Sequence, residues 1–180
     1  MATLTQLIPF SELAPGQAAK IRSDLVGRLI NEAAAKLSKS SDSLIVRDIR
    51  AASDIVLYSK GSAIAVEDWA CVTGTTANAY ETMALGTMSD VRWIGIYGVT
   101  ITEICACTAL KFNVGGADRV IWQLQALRED DSWTGFSPAG VVIPQNMPYT
   151  ISRWVRQTSS PAFIVLKGVV VEARGTVISP

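Results

Sequence analysis

One change of hydrophobic period constrains this chain more than any other feature. Before residue 40, Ile21, Leu25, Leu29, Ala33 and Leu37 recur every four residues, with Ile30 and Ala34 beside them. Arg22, Asp24, Arg28, Asn31 and Glu32 fill the ground between. That spacing predicts an amphipathic helix over Pro15–Ser38, with proline in the first turn, where its missing N–H is no loss. Its apolar stripe either packs on its own domain or docks on a neighbouring subunit. The polar run Ser38-Lys39-Ser40-Ser41-Asp42-Ser43 ends it.

Beyond that break the period is two. Leu44–Arg50 (LIVRDIR), Tyr80–Leu85, Arg92–Tyr97, Val99–Phe112, Arg119–Arg128, Val141–Ile143, Tyr149–Arg156 and Ala162–Ile178 read as strands. Ser53–Gly61 reads as a loop and Ser62–Val72 as either strand or short helix. Gly98, with a change of apolar parity near Glu103, points to a bulge or bend. Gly115-Gly116 falls between two strand patterns and reads as a hairpin turn. In Arg119–Arg128, Val120, Trp122, Leu124 and Ala126 share one face and Gln123 and Gln125 the other, the signature of a half-buried antiparallel strand. Glu129–Pro138 reads as a loop. Pro144 and Pro148 bracket a turn that no central strand would tolerate. No strand–helix alternation follows residue 62, which disfavours a parallel sheet. The expected fold is mainly β: an antiparallel, jelly-roll-like β-sandwich over residues 44–180, preceded by an N-terminal arm and helix over residues 1–43.

Composition narrows the function classes. The 180 residues hold 16 basic and 16 acidic side chains, no histidine, 49% hydrophobic and 18% charged residues. Intrinsic disorder needs the opposite balance. Zero net charge argues against a bulk electrostatic binder of nucleic acid or membrane. Without histidine a Ser-His-Asp triad cannot form, and the commonest metal ligand is missing. No GxSxG, GxGxxG or Walker-type loop is present. The opening MATLTQLIPFSELAPGQ has neither a basic n-region nor an apolar h-region, so no secretory signal is expected. Apolar runs such as Phe163–Leu166 and Gly168–Val171 fall far short of the ~20 residues of a membrane span. Synthesis and folding in a cytosol are expected.

Cys71, Cys105 and Cys107 are an odd number, which suits buried thiols in a reducing compartment. Cys105 and Cys107 lie two apart in a strand pattern and share a face; core packing is expected of all three. Glu129-Asp130-Asp131 does not match the alternating ligand spacing of a calcium loop and reads as solvated. Glu67, Glu81, Glu103 and Glu172 are all candidates for a hydrolytic carboxylate pair, and nothing in the sequence selects among them. Accordingly no enzyme activity, metal or cofactor is expected.

What remains is surplus apolar surface: five tryptophans and few charges on a domain too small to bury everything. The candidate contact residues are Ile21, Leu25, Leu29 and Leu37 on the helix, Trp133 and Phe136 in the loop, Met147 and Tyr149 at the double-proline turn, and Trp154. Arg and Trp in proximity favour a protein interface over single-stranded nucleic acid on an uncharged chain. Trp133 in a polar loop also suits a carbohydrate- or receptor-binding module.

The segments RWIGIYGV (Arg92–Val99), LKFNVGGADRVIWQLQAL (Leu110–Leu127), GVVIPQNMPYTISRW (Gly140–Trp154) and FIVLKGVVVEARG (Phe163–Gly175) resemble small bacteriophage virion proteins with a jelly-roll or β-sandwich body. In that group a helix precedes a strand similar to LIVRDIR. The resemblance implies a non-enzymatic structural protein located in the virion: a capsid decoration (cement) protein, or a neck, tail or baseplate component. Its implied partners are further copies of itself and the major capsid protein. It implies no active-site residues. The chain departs from the many acidic decoration proteins in carrying no net charge.

Overall fold

The helix forms where the four-residue spacing places it. In the computed structural model, which describes residues 2–59, 62–64, 69, 75–102, 107–129, 133–158 and 163–175, α1 spans Gln17–Leu37 and buries Ile21, Leu25, Leu29 and Ala33. Pro15 lies just outside it: Gly16 is the N-cap, at a φ of 80° that glycine adopts without strain. Ser38 ends the helix in the left-handed region, its N–H donating to the Ala34 carbonyl.

The strands, in chain order, are β1 (Thr3–Gln6), β2 (Ile8–Pro9), β3 (Leu44–Asp48), β4 (Leu57–Ser59), β5 (Ser62–Ile64), β6 (Ala79–Thr87), β7 (Arg92–Ile101), β8 (Cys107–Val114), β9 (Ala117–Gln123), β10 (Thr134–Ile143), β11 (Pro148–Val155) and β12 (Ile164–Ala173). A short helix, α2 (Gln125–Glu129), follows β9. They make two sheets, ordered β1-β9-β8-β11-β6-β4-β5 and β2-β10-β7-β12-β3. Every pairing is antiparallel except β1 with β9, which is parallel and corrects the expectation of a wholly antiparallel fold.

Burial follows from which faces are covered. One apolar cluster draws on both sheets, joining Ile94, Ile96, Ile143 and Leu166 to Leu110, Phe112, Trp122 and Ile151. A second joins Leu25, Leu29 and Ala33 of α1 to Leu44, Trp93, Val169 and Val171. The five-stranded sheet is therefore covered on both sides, and β7 and β12 read as nearly continuous apolar runs. The seven-stranded sheet keeps a solvent face, and β11 alternates strictly. Glycine lets α1 approach closely. A Cβ built on Gly95 would stand 2.6 Å from Leu29 Cδ1 and 2.8 Å from Leu25 Cδ2.

Several sequence expectations are met in detail. Gly115 and Gly116 turn the β8–β9 hairpin with φ of 65° and 77°, the double positive φ that a tight two-residue turn requires. Opposite β12 the register slips next to Gly98, where Lys167 pairs with Gly98 and Gly168 with Ile96. Pro148 opens β11, a position where its missing donor does no harm.

Others are corrected. The alternation through Leu124 and Ala126 outlasts its strand: β9 stops at Gln123, and Leu124 and Leu127 enter the core around α2 instead. Glu129–Pro138 is not all loop, because β10 begins at Thr134. Residues 3–9, read as an arm, are two strands that bridge the sheets, with Leu7 buried in the core between them. Among the described residues no helix is long and apolar enough to cross a membrane.

Candidate functional site

Most of the expected contact residues are engaged within the chain. Ile21, Leu25 and Leu29 are buried under the helix, and Phe136 and Tyr149 are buried in β10 and β11. Their apolar area is already covered by their own fold, so in this conformation they offer nothing to a partner. This corrects their expected role. Phe136 is sandwiched, its ring 6.2 Å from Tyr97 and 6.1 Å from Phe10. Trp133 is not a loop tip: it is half-buried against the central cluster, in the left-handed region at φ 47°, and its carbonyl accepts from the Ile101 N–H at 2.8 Å. Leu37 and Trp154 are half-buried, and Met147 is exposed. The other large exposed apolar side chains among the described residues include Leu4 and Phe10, at 61% and 58%. Sequence reading missed both, because their exposure depends on how the arm crosses the sheet edges.

Of the carboxylates named as candidates for a hydrolytic pair, the two described, Glu81 and Glu172, belong to separate networks. Glu67 and Glu103, like Asp130 and Asp131 of the acidic run, lie outside the described residues. Glu172 belongs to a closed ring of charges. Arg47 grips Asp54 with both Nη atoms at 2.6 Å and donates from Nε to Glu172 at 3.0 Å. Arg92 contacts the same two carboxylates, at 3.1 Å from Asp54 and 2.9 Å from Glu172. The Arg50 N–H adds a bond to Asp54 at 2.8 Å. Two guanidinium groups thus neutralise two buried carboxylates. The Asp54 hydrogen bond, opposed by burial, holds Arg47 protonated well above its usual range. The ring pins the turn carrying Asp54 to β3, β7 and β12. Glu172 is paired on both sides, by Arg47 and by Arg92.

Glu81, on β6, is likewise occupied. It accepts from the N–H groups of Thr75 and Thr76, from the Thr75 hydroxyl at 2.8 Å, and from Arg153 at 3.4 Å. Burial alone would raise its pKa; these hydrogen bonds outweigh it and hold the carboxyl below its usual range. Cys107 is buried in the core, as expected; Cys71 and Cys105 lie outside the described residues. Among the described residues, no three His, Cys, Asp or Glu side chains cluster as a metal would need.

Among the described residues, two concave features stand out. A groove of about 440 Å³ runs along the seam between the sheets, where Thr3, Thr5 and Val120 face Ser137 and Val142 and Met147 stands at the rim. The second, of about 410 Å³, lies on the solvent face of the seven-stranded sheet. Register builds it. Tyr80 pairs with Trp154, Trp154 with Ala109, Ala109 with Gln123, and Gln123 with Gln6, so one row of side chains crosses five strands. The aromatic end is fixed: Tyr80 and Trp154 meet edge to face at 5.0 Å, and Lys111 Nζ stands 4.5 Å from the Tyr80 ring. Burial, with the nearby Asp118 charge, pushes the Tyr80 phenol up, so it stays protonated across the neutral range.

A scan against protein-family models finds no match to this chain, and a search of curated proteins finds none either.

Proposed function

We propose that this chain folds as a jelly roll and serves as a non-enzymatic virion structural protein, as capsid decoration or, alternatively, in the neck, tail or baseplate. The observation that carries the reading is the order of strand pairing. Eight strands, β3 and β6 to β12, pair as first with last, second with seventh, third with sixth and fourth with fifth: β3 with β12, β6 with β11, β7 with β10 and β8 with β9. That is one long antiparallel hairpin rolled up, leaving the orders β3-β12-β7-β10 and β6-β11-β8-β9 in its two sheets. Jelly rolls of this kind recur in capsid and lectin domains. Both supplementary strands, β1 and β2, cover the edges at β9 and β10 and tie the sheets together.

Three further features support a structural role. The body is stiffened by cores on both faces of one sheet and by the buried charge ring. The most exposed large apolar side chains among the described residues, Leu4 and Phe10, sit on or beside the edge-covering strands, with Met147 at the turn before β11. The two described candidate carboxylates, Glu81 and Glu172, are engaged in ion pairs and hydrogen bonds. The partners this reading names are further copies of the chain and the major capsid protein, reached through apolar contacts; a near-neutral surface gives no reason to expect nucleic acid.

Sedimentation of the pure chain over a concentration series, alone and with phage capsid lattices, tests the proposal. The expected result is a defined oligomer or co-sedimentation with the lattice, weakened by Leu4→Ser and Phe10→Ser. A monomer at every concentration that leaves the lattices bare contradicts it.

A further inference from the structure

We propose that the cleft on the solvent face of the seven-stranded sheet binds a neutral hexopyranoside, seated over Ala109 between the Tyr80–Trp154 pair and the Gln6–Gln123 pair. The inference does not depend on the virion reading; it rests on the shape and chemistry of one row of side chains.

Shape comes first. The row Tyr80, Trp154, Ala109, Gln123, Gln6 has a single methyl at its centre and long side chains at both ends. On a pleated sheet, side chains directly opposite one another stand about 5 Å apart. A small residue flanked by large ones therefore leaves a trough with Ala109 as its floor. The neighbouring row contributes Ile121 and Leu4 to one wall. At about 410 Å³ the cleft falls within the ~300–1,000 Å³ of small-ligand sites.

Chemistry decides what fits. Among the described residues that line it there is no Asp, Glu, Lys or Arg. Lys111, beside the Tyr80 ring, is partnered by Asp118 at 3.7 Å. An anionic ligand such as a phosphate or a nucleic-acid backbone would find no unpaired positive charge among them. A neutral pyranose ring has one face of C–H groups and a rim of hydroxyls. The C–H face removes apolar area from water when it lies against Trp154, Tyr80 and Ile121. Each hydroxyl both donates and accepts, and each glutamine amide carries a donor and an acceptor side by side. Thr108 adds a hydroxyl at the rim. Apolar at one end and amide-rich at the other, the cleft matches a ligand of that dual character better than a purely apolar one.

Order in the free protein favours binding. Trp154 and Tyr80 hold each other edge to face on paired strands, and Lys111 packs against the Tyr80 ring. Little aromatic freedom is left to lose when a ligand arrives. The sequence-level signal for a sugar site, Trp133, is packed against the core; Trp154 takes its place because strand register aligns it with the amides.

The test is a titration of the ¹⁵N-labelled full chain with lactose, cellobiose and maltose in turn, following the indole N–H resonances. The Trp154 signal is assigned by its loss in Trp154→Phe. At least one disaccharide is expected to move that signal saturably while the buried indoles of Trp93 and Trp122 stay in place. Gln123→Ala, an exposed change that leaves the core intact, is expected to weaken the affinity at least threefold, and Trp154→Ala to abolish it. The inference is overturned if none of the three sugars moves the Trp154 indole, or if Gln123→Ala binds as tightly as the native chain. A chain that binds sugar but never assembles upholds this inference and sinks the virion reading; one that assembles but ignores all three sugars does the reverse.

Discussion

Gly95 and Leu29 make the packing of α1 on its own sheet measurable. Leu29 is fully buried, and its Cδ1 occupies the space a Cβ on residue 95 would need. Leu29→Ala should destabilise by about 2–5 kcal/mol, the cost of lost burial plus a cavity. Gly95→Ala should cost about 1–3 kcal/mol, because Leu25 and Leu29 must both give way in a packed layer. Part of that is offset by the lower conformational entropy of alanine in a strand, ~0.5–1 kcal/mol. In the double variant the new methyl enters the space that Leu29 vacates. The two effects should therefore fall short of their sum by roughly 0.5–3 kcal/mol. Urea unfolding followed by tryptophan fluorescence suits the question, since Trp93 lies in the same apolar cluster. Additivity within about 0.5 kcal/mol would refute the contact. So would a loss for Leu29→Ala that appears only at high protein concentration, because the helix stripe would then be packing on a neighbour.

Three further outcomes follow from individual contacts. Asp54→Asn leaves two guanidinium groups sharing the one remaining carboxylate, Glu172, and should cost about 3–5 kcal/mol of stability in thermal or urea unfolding, as breaking a buried pair generally does; a loss under 1 kcal/mol would show the ring to be incidental. The depressed Glu81 pKa contributes stability that is fully present above the usual carboxylate range and disappears as pH falls through the lower folded value. Glu81→Gln should therefore flatten the acid limb of a stability–pH curve and leave its neutral-to-basic course unchanged in shape; an unaltered acid limb would contradict the assignment. Leu7→Ser places a hydroxyl between the sheets and should release β1 and β2 together, visible as faster amide exchange across residues 3–9, whereas undisturbed protection there would show that Leu7 does not anchor the arm.

Local signals made much of the fold legible and non-local ones hid the rest. The helix, the Gly115-Gly116 hairpin and the strand after Pro148 are each dictated by residues adjacent in the chain. The N-terminal strands were not visible, since TLTQLIP gains its strand character only by pairing with β9 and β10 more than a hundred residues away. Arg153 sits on the buried face of β11, in line with Tyr149, Ile151 and Val155, and its partner Glu81 is 72 residues distant. The charge ring gathers Arg47, Asp54, Arg92 and Glu172 from three strands and a turn, so no window of sequence contains it. The candidate sugar cleft depends on the register of five strands at once. Apolar patterning correctly announced that Ile21, Leu25, Leu29, Phe136 and Tyr149 seek burial; it could not say whether their own fold or another molecule would cover them.

Locating this chain by electron microscopy in an assembled phage particle tests the virion reading most directly. The account predicts density at regular positions on the capsid lattice or on the neck, tail or baseplate, fitting the two-sheet body with its edge strands and the β10–β11 turn against neighbouring subunits. Mature particles that lack the chain altogether would contradict it.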